Sequence, residues 1–145
     1  MKKEAPELAD AVEALFDAYR HKTIATLRRD GSPRISGIEV EFADGDLRVG
    51  MMPGSRKLAD ITRDNRVSIH SGSADPDDDN PGAWPGDAKV AGQLLPGPPK
   101  EDGQPGDSFA LELSEVVTTK VADSADHLEI RSWHPGRGTN LVKRA

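Results

Sequence analysis

Apolar and polar positions along this chain recur with two periods, one helical and one extended. Leu8, Val12, Leu15, Phe16 and Tyr19 follow the i, i+4, i+7, i+8 spacing of a helix face. Pro6 suits the first turn. The spacing predicts an amphipathic helix over residues 6–20. Residues 22–28 are rich in β-branched side chains, and Asp30-Gly31 then supplies a tight hairpin turn. Ser36, Ile38, Val40 and Phe42 alternate with Gly37, Glu39 and Glu41, the mark of a half-buried strand. Asp44-Gly45 marks a second turn, and Leu47, Val49 and Met51 alternate again. These runs predict an antiparallel meander.

The period lengthens once more after Gly54. Leu58 and Ile61 are three apart, Ser55 is a candidate N-cap and Asn65 a candidate terminator, which predicts a short helix over residues 55–64. A strand from Arg66 to His70 follows. Residues 71–86 are dominated by acid, Gly and Pro and read as a loop. Residues 87–95 read as a strand and 96–107 as a second Pro/Gly loop. Phe109, Leu111 and Leu113 alternate, with a continuation through Val116 to Val121. Leu128 and Ile130 open a last strand to Trp133, and the end reads as a turn with a basic tail. The sum is about seven strands and two helices in one domain over residues 1–145. Consecutive hairpins in so short a chain favour a mainly β fold, an antiparallel barrel of six to seven strands with flanking helices.

Composition narrows the function. Hydrophobic residues make up 35% of the 145, so the apolar supply is lean and dimerisation would help to hide it. The formal net charge is -6, which argues against broad nucleic-acid binding. No apolar run approaches membrane-spanning length. The N-terminus lacks a signal-peptide h-region, so a cytoplasmic location is expected. There is no cysteine, and the four histidines show no HxH or HExxH spacing, so no metal site is expected. Asp75, Asp77, Asp78 and Asp79 miss the EF-hand register and read as a solvated loop. Trp84 within that loop suggests packing on a partner or a lid over a pocket. No G-x-S-x-G elbow, P-loop or dinucleotide fingerprint is present.

The segment richest in chemistry is Gly54-Ser55-Arg56-Lys57, at the start of the second helix. Helix N-terminal N–H groups have no internal partner, and the dipole adds positive charge there. A hydroxyl and two cations complete the parts a phosphate needs. The same residues also suit a capped helix with solvated surface charges.

The order DGSP, the strand RISGIEVEF, a DG turn, the strand LRVGMM, GSRK opening a helix and DNRVSI as a strand resembles the split barrel of the pyridoxamine 5'-phosphate oxidase superfamily. The resemblance covers about residues 20–70, with a looser match in the later strands. It implies a homodimeric oxidoreductase that binds FMN, or alternatively the deazaflavin F420, with cofactor sites at the dimer interface and a small-molecule substrate. It implies that Ser55, Arg56 and Lys57 hold the cofactor phosphate. Ile35, Ser36, Gly37 and Ile38 would lie along the ring and ribityl chain, with Met51 and Met52 lining the pocket. Trp133 and Arg137 would approach from the partner. Non-catalytic binding of a flavin or small anion is the reading from another class. Two departures bear on activity. The family's arginine on the second strand is replaced, in this register, by Ser36, and its arginine-rich C-terminal motif is absent from RSWHPGRGTNLVKRA. Both argue against vitamin B6 oxidation.

Overall fold

The computed structural model describes residues 1–98 and 107–145. In chain order, the elements are α1 (Pro6–Asp17), β1 (Lys22–Leu27), β2 (Pro33–Ile38), β3 (Val40–Ala43), β4 (Asp46–Met51), α2 (Arg56–Arg63), β5 (Arg66–His70), β6 (Asp87–Pro96), β7 (Asp107–Val121), β8 (Leu128–His134) and β9 (Gly138–Arg144). A 3-10 turn at Pro81–Ala83 interrupts the loop before β6. The second Pro/Gly loop expected over residues 96–107 lies, for residues 99–106, outside the described residues.

All pairings between the strands are antiparallel, in the order β2-β1-β5-β6-β7-β4-β3, with β8 and β9 branching from β7. Among the described residues the ladder does not close by hydrogen bonds. Its two ends, β2 and β3, are consecutive in the chain and separated only by Glu39. One extended run therefore serves two neighbours. Its first half pairs with β1, in register Lys22↔Ile38, and its second half with β4, in register Val40↔Val49. The barrel is split, and the gap is spanned by the backbone itself.

This architecture departs from the expected count in two places. The run expected as one strand over residues 36–42 divides at Glu39. The expected basic tail is instead β9, which pairs with β8 along its whole length, from His134↔Gly138 to Leu128↔Arg144. The first helix also stops at Asp17, short of residue 20.

The core follows from the alternation. Ile24, Ile69, Val90 and Val116, from four adjacent strands, point inward and are fully enclosed. α1 covers this core with Leu8, Val12 and Phe16 of the expected face and with Ala9, while Leu15 and Tyr19 are half-buried. Phe16 meets Phe42 of β3 edge to face, with ring centroids 6.0 Å apart. β6 and β7 approach so closely at the Ala91/Gly92 bulge that a Cβ on Gly92 would lie 2.0 Å from the Glu112 carbonyl oxygen. A glycine is required there.

Candidate functional site

α2 begins as its sequence predicts. Gly54 turns the chain with φ of +74°, a conformation that favours glycine. Ser55 is the N-cap, and its Oγ accepts a hydrogen bond from the Leu58 N–H at 3.3 Å. The hydroxyl proton remains for another acceptor. Residues 56, 60 and 63 share one helix face by their spacing, and this face turns towards the β1–β2 hairpin. A groove of about 480 Å³ lies between them. Arg56, Asp60 and Arg63 of α2 line one wall, and Arg28, Arg29, Asp30 and Arg34 of the hairpin line the other. Five guanidinium groups thus face two carboxylates, in a chain whose overall charge is -6.

The two carboxylates behave differently. Asp30 is exposed and tied to the turn, accepting from Ser32 N at 2.9 Å. Hydrogen bonds from the Ser32 hydroxyl and N–H hold its carboxyl below the ordinary range. Asp60 is buried. Its Oδ2 accepts from Thr26 Oγ1 at 2.7 Å and from Arg34 Nε at 2.8 Å, and its Oδ1 accepts from Arg63 Nη2 at 3.0 Å. Burial pushes this carboxyl up, but the bonds from Arg34, Thr26 and Arg63 outweigh it and hold it below the ordinary value. Arg63 also donates to the Leu27 carbonyl at 3.0 Å. Arg34 is bound only through Nε among the described residues, and its terminal amino groups are left for the groove.

Among the residues expected at the site, Ser55 and Arg56 stand together at the start of α2, and Arg56 lines the groove. Lys57 is half-buried beside them and is not part of the groove wall. β2 cannot present all four of its expected residues to one ligand, because successive side chains leave on opposite faces. Ile38 is buried and Ser36 half-buried on the inner face, whereas Ile35 is 74% exposed and Gly37 lies open on the outer face. Met51 and Met52 divide in the same way, Met51 into the core and Met52 into solvent. Trp133 belongs to the core cluster, with its Nε1 unpartnered among the described residues, and Arg137 is exposed in the β8–β9 turn.

Sequence reasoning missed Arg28, Arg29, Arg34, Asp60 and Arg63. The signal was available for Arg34. It lies two residues before Ser36, so it shares that residue's face of β2. An arginine sought at position 36 is found one step along the same inner row.

No residue of the 71–86 loop lines this groove. Trp84 donates from Nε1 to the Ala74 carbonyl at 2.9 Å, closing the loop on itself, and Gly82 packs against the carbonyls of Ala122 and Asp123. His70 is held from both sides. Its Nδ1 accepts the Gly72 N–H at 3.0 Å and its Nε2 lies 3.3 Å from Asp87. His134 Nε2 lies 3.1 Å from Glu115. Among the described residues no three His, Asp or Glu side chains gather as a metal site. Among the described residues no helix is long and apolar enough to cross a membrane.

A second depression, of about 410 Å³, lies on the outer face of the sheet. Small side chains of Ala25, Ser68 and Ala91 form its floor, in one cross-strand row that continues to the exposed Ile35.

No family model matches the chain, and no curated protein does. Solved structures do. A pyridoxamine 5'-phosphate oxidase-related, FMN-binding protein from Nostoc punctiforme shares 12% identity over 97% of this chain and 95% of its own, with a TM-score of 0.62. A heme-binding protein from Mycobacterium smegmatis shares 13% over 97% and 88%, also at 0.62. An F420 reductase shares 19% over 72% and 94%, at 0.51. The fold is that of the pyridoxamine 5'-phosphate oxidase-like split barrels.

Proposed function

We propose that this protein is a flavin-dependent oxidoreductase that anchors the phosphate of FMN in the arginine-lined groove between α2 and the β1–β2 hairpin. The observation that carries the reading is the convergence of Arg34 and Arg56, from a strand and a helix start, on one groove beside the Ser55 cap. A phosphate is matched by guanidinium forks, a free hydroxyl and helix N–H groups together. Arg34 supplies the strand arginine that Ser36 does not. Lys57, next to Arg56, adds a charge within reach of the same helix end. Such a cofactor, when bound, supplies the hydride chemistry, and the chain's residues hold and orient it.

The outer depression and the exposed Ile35 and Met52 support a homodimer, in which a second copy would cover this apolar surface. F420 is the second reading, favoured by the number of guanidinium groups, which exceeds what one phosphate needs and suits the further carboxylates of that cofactor.

Fluorescence titration with FMN and with F420 tests this directly. Saturable binding is expected, and Arg34→Ala and Arg56→Ala should each weaken it by about 1.5–3 kcal/mol, the worth of a charge-assisted bond. Lys57→Ala should weaken it less. Absence of binding to either cofactor, or affinity indifferent to both arginine changes, would overturn the assignment. Turnover with a nicotinamide donor then separates an enzyme from a carrier.

A further inference from the structure

Resting on the phosphate reading above, we infer that Asp60 is a positioning residue, which pins Arg34 and Arg63 so that the terminal amino groups of Arg34 face the groove before a ligand arrives. One buried carboxylate on α2 ties that helix to β1 through Thr26 and to β2 through Arg34, and it also holds Arg63 one turn along its own helix. Burying a carboxylate is costly, and a packed apolar residue serves stability as well or better. What an apolar residue cannot do is aim a guanidinium. A free arginine side chain has many rotamers to lose on binding. Pinning Nε spends that entropy on folding rather than on binding. The bonding fits this role, since among the described residues Asp60 takes only the Nε–H of Arg34, and the terminal amino groups keep their hydrogens for an anion.

Charge and positioning predict opposite signs for the same substitution. Asp60→Asn removes a negative charge from the groove wall, which by Coulomb's law alone would tighten binding of an anion. Loss of positioning would weaken it.

The experiment compares FMN with riboflavin, which lacks the phosphate, in titrations of the wild type, Asp60→Asn, Arg34→Ala and the double variant. The expected result is FMN binding weakened roughly tenfold by Asp60→Asn, with riboflavin binding unchanged and no further loss when Arg34 is already alanine. Tighter or unchanged FMN binding would overturn the inference. So would an equal loss for riboflavin, which marks general damage, or an undiminished loss in the Arg34→Ala background. If Asp60→Asn does not fold, Thr26→Val loosens the same oxygen and should weaken FMN alone by about twofold to threefold; no such change would overturn the inference. Failure of the underlying reading looks different. In that case the wild type would bind FMN no better than riboflavin, and Arg34→Ala would be silent too.

Discussion

Ile38 and Val40 stand two residues apart on one extended run, yet they belong to different ladders, Ile38 opposite Lys22 and Val40 opposite Val49. The split of the barrel sits between them, at Glu39. Ile38 is buried at this junction, whereas Glu39 is exposed and, among the described residues, pairs with Arg20 at 2.9 Å, with His21 3.6 Å away. Ile38→Ala should therefore cost about 2–5 kcal/mol in urea unfolding. Glu39→Ala removes an exposed ion pair and should cost no more than about 1 kcal/mol. A larger loss at Glu39 would mean that the junction is held by its charge.

Gly92 and Gly37 offer an internal comparison. A methyl group at Gly92 would meet the Glu112 carbonyl, while at Gly37 it would meet nothing within 4 Å. Gly92→Ala should lower stability by about 1–3 kcal/mol or more. Gly37→Ala should change it by less than about 0.5 kcal/mol. Thermal unfolding of the two variants checks the pair.

Ser55 caps α2 through the Leu58 N–H. Ser55→Ala should destabilise by about 1 kcal/mol, and Ser55→Gly by only a few tenths. If both are equally harmful, the side-chain bond is not the source of the preference.

Acid should unfold the protein partly through Asp60. Its hydrogen bonds to Arg34, Thr26 and Arg63 set its folded pKa below the unfolded value of about 3.9. The stabilisation is therefore present above about pH 4 and is lost as pH falls through the folded pKa. Asp64, held down to about 2 by Arg66, titrates in the same sense, though in the open, where solvent screens the pair. Melting temperatures from pH 6 to pH 2.5 should fall steeply for the wild type and less steeply for Asp60→Asn. Parallel curves would mean that Asp60 contributes nothing to acid sensitivity.

Much of this fold was legible where the alternation had a single cause. Leu47, Val49 and Met51 are buried as their period requires, and Ser55 caps the helix that its position announced. The junction at Glu39 was not legible. Ser36, Ile38, Val40 and Phe42 stay in phase through it, so a change of partner leaves no mark on the pattern. β9 was hidden for another reason. As an edge strand it exposes most residues on both faces, Leu141 and Val142 included, and an edge leaves no alternation to read. Asp60 sat among polar helix positions, and only the packing of α2 on β1 and β2 shows that it is buried. For the same reason Ser55 and Arg56 could be found from local pattern, whereas Arg34 and Arg63 became visible only once two elements had been brought together.

β7 runs fifteen residues and pairs with β4, β6 and β8 in turn. Its contact with β4 joins Ala110 to Arg48, across more than a third of the chain. Assembly must close that long loop before the ladder rewards it, which places this protein among slow folders, in the millisecond-to-second range. A ligand gripping α2 and the hairpin would engage only residues 28–63, so its affinity for an early intermediate would report how soon that half becomes native.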